Sequence, residues 1–473
     1  MFFDEIFQPF INKSPVSVMF RGTLENVFAS PRLDKLFGDV AEKQYRGDLA
    51  FSTCAELLSL VVTRIQPSVH AAYKKRDDIE VSVRSIYNKL AGVELAVSER
   101  LVRETANDLK SIIAEMDATL PGPLQGYDTR IVDGNHLSGT QHRLKELRSL
   151  GDAPLPGHTV AVLNPHLELI EDLITCEDGH ANQRPFYVQL LDQVQRGQCW
   201  IADRDYSTYG FLFGIAQRKA YFVIRQHGGL EGQAVGRRRR LGRVDSGVVY
   251  EQGLRLTTAD GRERTVRRVT LKLDQPTRDG DTELHLLTNL PQKVSACKIA
   301  DAYSSRWQIE TAFAKLTTVL NCELNTLGYP KAALFGFCLA VVMYNALSTV
   351  LAALRATHPE VATSSAAGET IEQKKVTFSF YYLADEISGV ARGMSIAIPS
   401  EYWTDAFANL TAKQMAKKLL SLARHVKIEH FLTNPYGRQQ RRKQRKMTTR
   451  GGNVSTFKIL EERKRKGAKK QRK

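Results

Sequence analysis

The sequence predicts an α/β fold: a mixed sheet flanked by helices, carrying a β-rich insertion, with helical regions before and after. Three observations predict this class. Between residues 129 and 224, β-favouring and amphipathic runs follow one another in the order β β β α β α β. Two of those β runs end directly in an aspartate, Asp133 and Asp203. The segments on both sides carry apolar residues at helical spacing instead. A three-strand meander followed by a helix and a further strand gives parallel pairing after the helix. Asp133 and Asp203 become neighbours if the first and fourth strands lie side by side. The crevice at the strand ends is where open sheets of this kind bind ligands.

Residues 1–122 read as a helical N-terminal region. Apolar periodic runs cover residues 54–65, 83–90 and 95–116, with Ala91-Gly92 between the last two and Ser98 as an N-cap for Glu99 onward. Two helices around a short Gly-containing turn are either a DNA-binding helix-turn-helix or a plain helical hairpin. Lys74-Lys75-Arg76 adds a small basic cluster nearby. The break at Leu120-Pro121-Gly122-Pro123 closes the region.

Residues 123–226 carry the first part of the core. Residues 129–133, 159–163 and 167–174 are strands, and Asn164-Pro165-His166 joins the last two. Residues 185–195 are helical, 199–202 a buried strand, 209–216 a helix and 221–224 a strand. Residues 227–298 then shift in composition. Gly is frequent, Arg237 to Arg240 is a run of four, and residues 248–250, 265–273 and 283–287 read as strands. Arg and Lys on the polar positions of this β-rich insertion suit a nucleic-acid surface, although strand edges also use such charges against aggregation.

Residues 299–356 form the second part of the core. The stretch from Ile299 to Asn321 is predicted as one amphipathic helix, with Ile299, Ala302, Ile309, Phe313, Leu316 and Leu320 on its buried stripe. Tyr303, Arg306 and Glu310 lie about one turn apart and share a face. By itself this arrangement fits an ordinary ion-paired helix as well as a phosphate or metal contact. The run 332–354 has no charged residue and is long enough to span a bilayer. Asn345, Ser348 and Thr349 in its second half, and its isolation as the one such run, favour a helix buried at the centre of a soluble core.

Residues 357–436 resume helical patterns after a break, and residues 437–473 are a basic tail. The net charge of the chain is +16. The tail holds 16 Lys and Arg against Glu461 and Glu462, which leaves 51 bases (67 less 16) and 49 acids (51 less 2) in the body. The charge is therefore mainly terminal, which suggests contact with a polyanion such as nucleic acid. Six widely spaced cysteines without a CxxC pair fit a reducing cytosol and not a disulfide framework or a zinc cluster. The acidic N-terminus does not read as a signal peptide, so a cytoplasmic location is expected. No GxxxxGK[ST] is present, so ATP hydrolysis is not indicated.

Asp133, Asp203 and Glu310 stand out as three acids that can converge. Converging carboxylates repel unless cations lie between them. Hard oxygen ligands with open water positions suit Mg²⁺ or Mn²⁺. Two such ions about 4 Å apart can activate a water or a 3′-hydroxyl in phosphodiester displacement. With a basic tail, a metal-dependent nuclease or strand transferase is the natural class. His136 and His180 are near enough in sequence to be considered, but both read better as hydrogen-bonded loop histidines. Asp203 is preferred to Asp205 because it directly ends the apolar strand, and Trp307 is expected to pack its helix.

The motifs IVDGNHL around Asp133, IADRDYSTYGFLFGI around Asp203, LLTNLP at 286–291 and YSSRWQIETAF at 303–313 occur in a family's order. The chain resembles the insertion-sequence DDE transposases of the Y-R-E-K signature group, over about residues 125–350 and more loosely the N-terminal helices. The resemblance implies an RNase H-like core and a cut-and-paste transposase. Asp133, Asp203 and Glu310 would hold two Mg²⁺ ions, with Mn²⁺ able to substitute. Tyr303 and Arg306 would contact phosphates of the transposon end. The implied partners are double-stranded DNA, as terminal inverted repeats and target, and a second copy of the chain in a homodimeric synaptic complex. The family's lysine falls at Thr317, and Lys315 is about 140° round the helix from Glu310 and no simple substitute. No Trp lies between Trp200 and Trp307 to match the base-stacking Trp of some relatives; Tyr250 is one aromatic in that interval. A nuclease that cuts without joining and an inactive DNA-binding derivative are the alternatives.

Overall fold

The apolar runs pair into one sheet. The computed structural model describes residues 5–42, 49–137, 155–181, 186–277, 279–324, 326–361, 376–433 and 455–470, with side chains up to residue 466. The strands are β1 (Asp128–Leu137), β2 (Gly157–Asn164), β3 (Leu169–Cys176), β4 (Gln198–Ala202), β5 (Tyr221–Arg225), β6 (Gln233–Val244), β7 (Gly247–Thr257), β8 (Glu263–Leu273) and β9 (Glu283–Thr288). Their order is β3-β2-β1-β4-β5-β9-β8-β7-β6. β1–β4 and β4–β5 are parallel and the other pairs antiparallel. The sheet is therefore mixed, as expected.

The insertion does not interrupt the sheet. β9 pairs with β5 through Val223↔Thr288, Ile224↔Leu287 and Arg225↔Leu286, so the insertion extends the core sheet sideways. β6, which holds Arg237 to Arg240, was not legible as a strand. It is an edge strand, exposed over most of its length, and shows no apolar alternation to betray it.

The helices before the sheet are α1 (Gln8–Lys13), α2 (Pro15–Val27), α3 (Ser30–Val40), α4 (Phe51–Val62), α5 (Val69–Tyr73), α6 (Val83–Gly92) and α7 (Leu95–Glu115). α8 (Phe186–Gln193) and α9 (Tyr209–Gln217) lie between strands, and α10 (Ala296–Ser304), α11 (Trp307–Thr318) and α12 (Pro330–Thr357) follow β9. α13 (Phe380–Ala397), α14 (Ser400–Trp403), α15 (Ala412–Ala423) and α16 (Thr456–Lys470) complete the set.

α12 is the apolar run, and the whole of its membrane-length stretch is buried. α2, α4, α6, α7, α13 and α15 pack around it, so the N-terminal and C-terminal helices share one core. Asn345, the polar residue at its centre, exchanges two hydrogen bonds of 2.9 Å with the Ile170 backbone of β3. That pairing satisfies a group whose burial would otherwise be costly. α7 begins a turn earlier than Ser98 predicts, with Glu94 as its N-cap residue. It lies against α12 and β3, where Glu99 accepts from Thr175 and Arg103 meets Asp172 at 2.6 Å. α6 and α7 each pack on α12.

Two expectations need correction. The stretch 299–321 is two helices. Ser304 and Ser305 turn their hydroxyls back on the carbonyls of Asp301 and Ala302, each at 2.6 Å, and a tight i→i+3 turn replaces the helical bonds there. Tyr303 therefore lies on α10, Arg306 in the turn, and Glu310 in the first turn of α11. The basic tail, read from its charge as having no core of its own, is packed in part. Its end forms α16, anchored by buried Ser455 and Thr456, a bridge from Ser455 to Leu155, and a Lys458–Asp178 ion pair at 3.5 Å.

Candidate active site

Pairing of β1 with β4 ends at Val132↔Ala202. Asp133 and Asp203 are the next residue on each strand path, so the two acids adjoin where that pairing ends. Side chains alternate between sheet faces. Val132, Trp200 and Ala202 enter the core under α8 and α9, whereas Ile131, Cys199 and Ile201 join the core with α10, α11 and α12. Asp133 and Asp203 continue the second set, so both project toward the side on which α11 lies.

α11 packs on β1 through Ile309, Ala312 and Leu316 and brings Glu310 and Arg306 over the two acids. Arg306 Nη1 donates to Asp133 Oδ2 at 2.8 Å, and Nη2 meets Glu310 Oε1 at 2.6 Å. One guanidinium thus bridges a strand acid and a helix acid. The Asp133 side chain is 17% exposed and that of Glu310 35%, so the bridge faces an open side. Asp203 does not share the bridge; its Oδ1 accepts from the Asp205 N–H at 2.9 Å and caps the short 3-10 turn Arg204–Tyr206.

The electrostatics follow from this crowding. Burial, and then the Asp203 charge, push the Asp133 carboxyl up to about 7, against the opposing pull of Arg306 and the Gly134 N–H. Burial and then Asp205 raise Asp203 as well. Burial pushes the Tyr303 phenol up to about 12 although Arg306 lies beside it. Neighbouring carboxylates that resist ionisation are a donor set that a hard divalent cation would relieve. Among the described residues no three His, Cys, Asp or Glu side chains stand at metal-ligand distance from one another. The Arg306 guanidinium is the cation that two of these acids share.

The remaining candidates separate from this centre. His136 bonds the Gly179 carbonyl at 3.0 Å, and the His180 backbone is held by Asp178. His136 also lines a cleft of about 510 Å³ with Arg204, Asp205, Thr208, Tyr209 and His227. Lys315 runs inward over the Phe380 ring at 4.9 Å, and Thr317 bonds carbonyls of its own helix. Neither supplies a cation beside Glu310. Trp307 does not pack its helix: it is 64% exposed at the start of α11, 5.6 Å from the Arg306 guanidinium. Tyr250 is covered by Arg238, which stacks at 4.3 Å. Sequence reasoning missed Arg204, although it stands in the DRDY run directly after the strand.

An open mixed sheet with two adjoining aspartates, overlaid by a helix carrying a glutamate and an arginine, makes an α/β domain with a cluster of acids. Residues 125–346 match the family model described as Transposase DDE domain. That stretch, which holds Asp133, Asp203 and Glu310, is thus similar to a transposase DDE domain. A similar curated protein is "Putative transposase y4zB" of Sinorhizobium fredii, 36% identical over 126 residues, which are 25% of this chain and 33% of that protein. The chain thus spans only a third of that relative's length in the match. A similar solved structure is a cryo-EM piggyBac transposase synaptic complex with hairpin DNA. It has a TM-score of 0.38 and 12% identity, over 84% of this chain and 85% of that one.

Proposed function

We propose that the protein is a cut-and-paste DNA transposase of the Y-R-E-K group, with β1 to β5 as an RNase H-like core. The observation that carries the reading is the Arg306 bridge between Asp133 and Glu310 beside Asp203, inside a DDE domain. In this reading Asp133, Asp203 and Glu310 hold two Mg²⁺ ions, or Mn²⁺ in their place. When bound, such ions would lower the pKa of an attacking water and stabilise the leaving oxygen of a phosphodiester. Their fit is supported by the raised Asp133 and Asp203 carboxyls, which a cation would return to the ionised form.

Arg306 and Tyr303 orient the phosphate. A guanidinium offers a planar fork of donors suited to phosphate oxygens, and a phenol held at high pKa keeps its proton to donate. Thr317 leaves the helix face with one cation fewer than the family pattern, so Arg306 carries more of the phosphate contact. Strand cleavage frees a 3′-hydroxyl at the transposon end, and the same acids then serve its attack on target DNA. The partners are double-stranded DNA and a second copy of the chain. The basic terminal residues and the arginines of β6 supply sequence-independent phosphate contacts, and the helices of residues 1–122 and 357–436 flank the DNA. Six free cysteines suit work in the cytoplasm.

The test is a plasmid bearing the element's two ends, incubated with the protein and Mg²⁺ or Mn²⁺. Wild type should cut at the ends and join them to a second plasmid, and Glu310→Gln should do neither. Cutting without joining would assign a nuclease, and end binding without cutting would assign an inactive DNA-binding derivative.

A further inference from the structure

α13 has two opposite faces. Phe380, Leu383, Ile387 and Met394 form its buried stripe. At about 100° per residue, Tyr381, Asp385, Gly389, Arg392 and Ile396 line the side directly opposite, and all five are exposed. A helix face turned to water normally carries polar and charged side chains. This one ends instead in Tyr381, 54% exposed, and Ile396, which at 77% is the most exposed large apolar side chain among the described residues. Tyr382 and, in α14, Tyr402 are exposed as well. Four of the nine exposed large apolar side chains in the described residues thus fall between residues 381 and 402, and such a concentration marks an interaction surface.

The middle of the stripe says what the partner is. Asp385 and Arg392 lie two turns apart, and neither side chain has an ion-pair partner among the described residues. Gly389 lies between them. Glycine is unfavourable inside a helix, and a Cβ there would meet nothing within 4 Å, so no contact among the described residues explains it. One acid and one base, with Glu386 alongside, leave no excess positive charge to hold nucleic acid. Read from either end, the stripe runs apolar, charged, glycine, charged, apolar, and the two charges have opposite signs. Turned over about a two-fold axis at the Ser388–Gly389 bond, it meets its own complement. Asp385 then faces the partner's Arg392, Tyr381 faces the partner's Ile396, and each contact occurs twice, as in an isologous interface. Gly389 at the crossing lets the two backbones come close.

We propose that α13 is the two-fold contact between two copies of this chain, packed antiparallel through Tyr381, Asp385, Gly389, Arg392 and Ile396. The proposal gives an interface to the second copy in the reading above. Its test needs neither DNA nor cleavage, so either reading can fail alone. The two charge pairs set the direction of packing, because parallel helices would place acid against acid and base against base. The apolar ends exclude water from those pairs.

Sedimentation equilibrium of the full chain over a concentration series, without DNA, measures the dimer Kd, and the melting temperature is taken alongside. Wild type should show a monomer–dimer equilibrium. Arg392→Asp and Asp385→Arg, each of which sets like charges opposite one another, should weaken the dimer by about 10-fold or more. The double variant carrying both changes restores opposite charges at both contacts and should return Kd to near the wild-type value. Gly389→Leu should weaken the dimer while Tm stays level or rises, the reverse of what a purely structural glycine would give. If wild type sediments as a monomer throughout, the face is not a contact between copies and the proposal is wrong. A dimer that all the variants leave unchanged, or a double variant no more dimeric than the single ones, places the contact elsewhere and overturns it equally.

Discussion

Two clusters in this protein use the same three residue types and differ in what surrounds them. In one, Arg103 on α7 reaches Asp172 of β3 at 2.6 Å and Glu99 of its own helix at 3.8 Å. In the other, Arg306 reaches Asp133 of β1 at 2.8 Å and Glu310 of α11 at 2.6 Å. Both strand aspartates are raised mainly by burial, Asp172 to about 6 and Asp133 to about 7. Around Arg103 the protein itself occupies most of the acid oxygens, leaving Asp172 Oδ2 buried without a hydrogen-bond partner among the described residues. Glu99 Oε1 accepts twice from Thr175 and Asp172 Oδ1 accepts the Leu173 N–H at 2.8 Å. Around Arg306 a third acid, Asp203, adjoins, and the side chains open toward solvent. Charge that the fold neutralises internally ties elements together; charge it leaves in excess is available to a ligand.

That contrast can be broken from either side. The largest effect expected is on chemistry: Glu310→Gln should lower cleavage of end-bearing DNA by about 10³-fold or more, with no loss of Tm. An equal fall in Tm would make the second cluster structural too. Next, Arg103→Ala strands the buried Asp172 and should cost about 3 kcal/mol in urea unfolding, while activity per folded molecule survives. If stability held and activity fell, the two roles would be exchanged.

A smaller effect separates charge from geometry. Arg306→Lys keeps the positive charge but loses the planar fork that spans two acids. Cleavage should fall by about 10²-fold, less than for Glu310→Gln, and single-turnover rates would measure it. The smallest effect is a slope. Asp172 holds its proton to about 6 in the folded state, against about 4 when unfolded. Between those values the native state binds the extra proton, so stability falls as pH rises from about 4 to about 6, by no more than about 1.4 kcal/mol per pH unit. Asp172→Asn should flatten that part of the pH–stability curve, and an unchanged curve would remove Asp172 as its source.

Much of this was legible in the sequence. The runs IVD and IAD each end an apolar strand in an acid, and the register places those acids side by side. The Y-x2-R-x3-E spacing brings Tyr303, Arg306 and Glu310 into one short region even though the helix breaks there. The break itself comes from two serine hydroxyls competing for carbonyls, a local choice that an apolar stripe running through both helices conceals. β6 was hidden because an exposed edge strand has no alternation to read, and Trp307 because a side chain at a helix start need not follow the helix's buried stripe.

The sequence by itself determined the class of fold and the central buried helix and singled out the three acids as candidates, because periodicity and strand-end placement are local properties of the chain. Only the tertiary structure decided which cation those acids share, where Lys315 goes, and that part of the basic tail docks as α16. Each of these depends on distances between residues far apart in sequence. Arg306 is 173 residues from Asp133 and bonds it only because α11 packs across the strand that carries it.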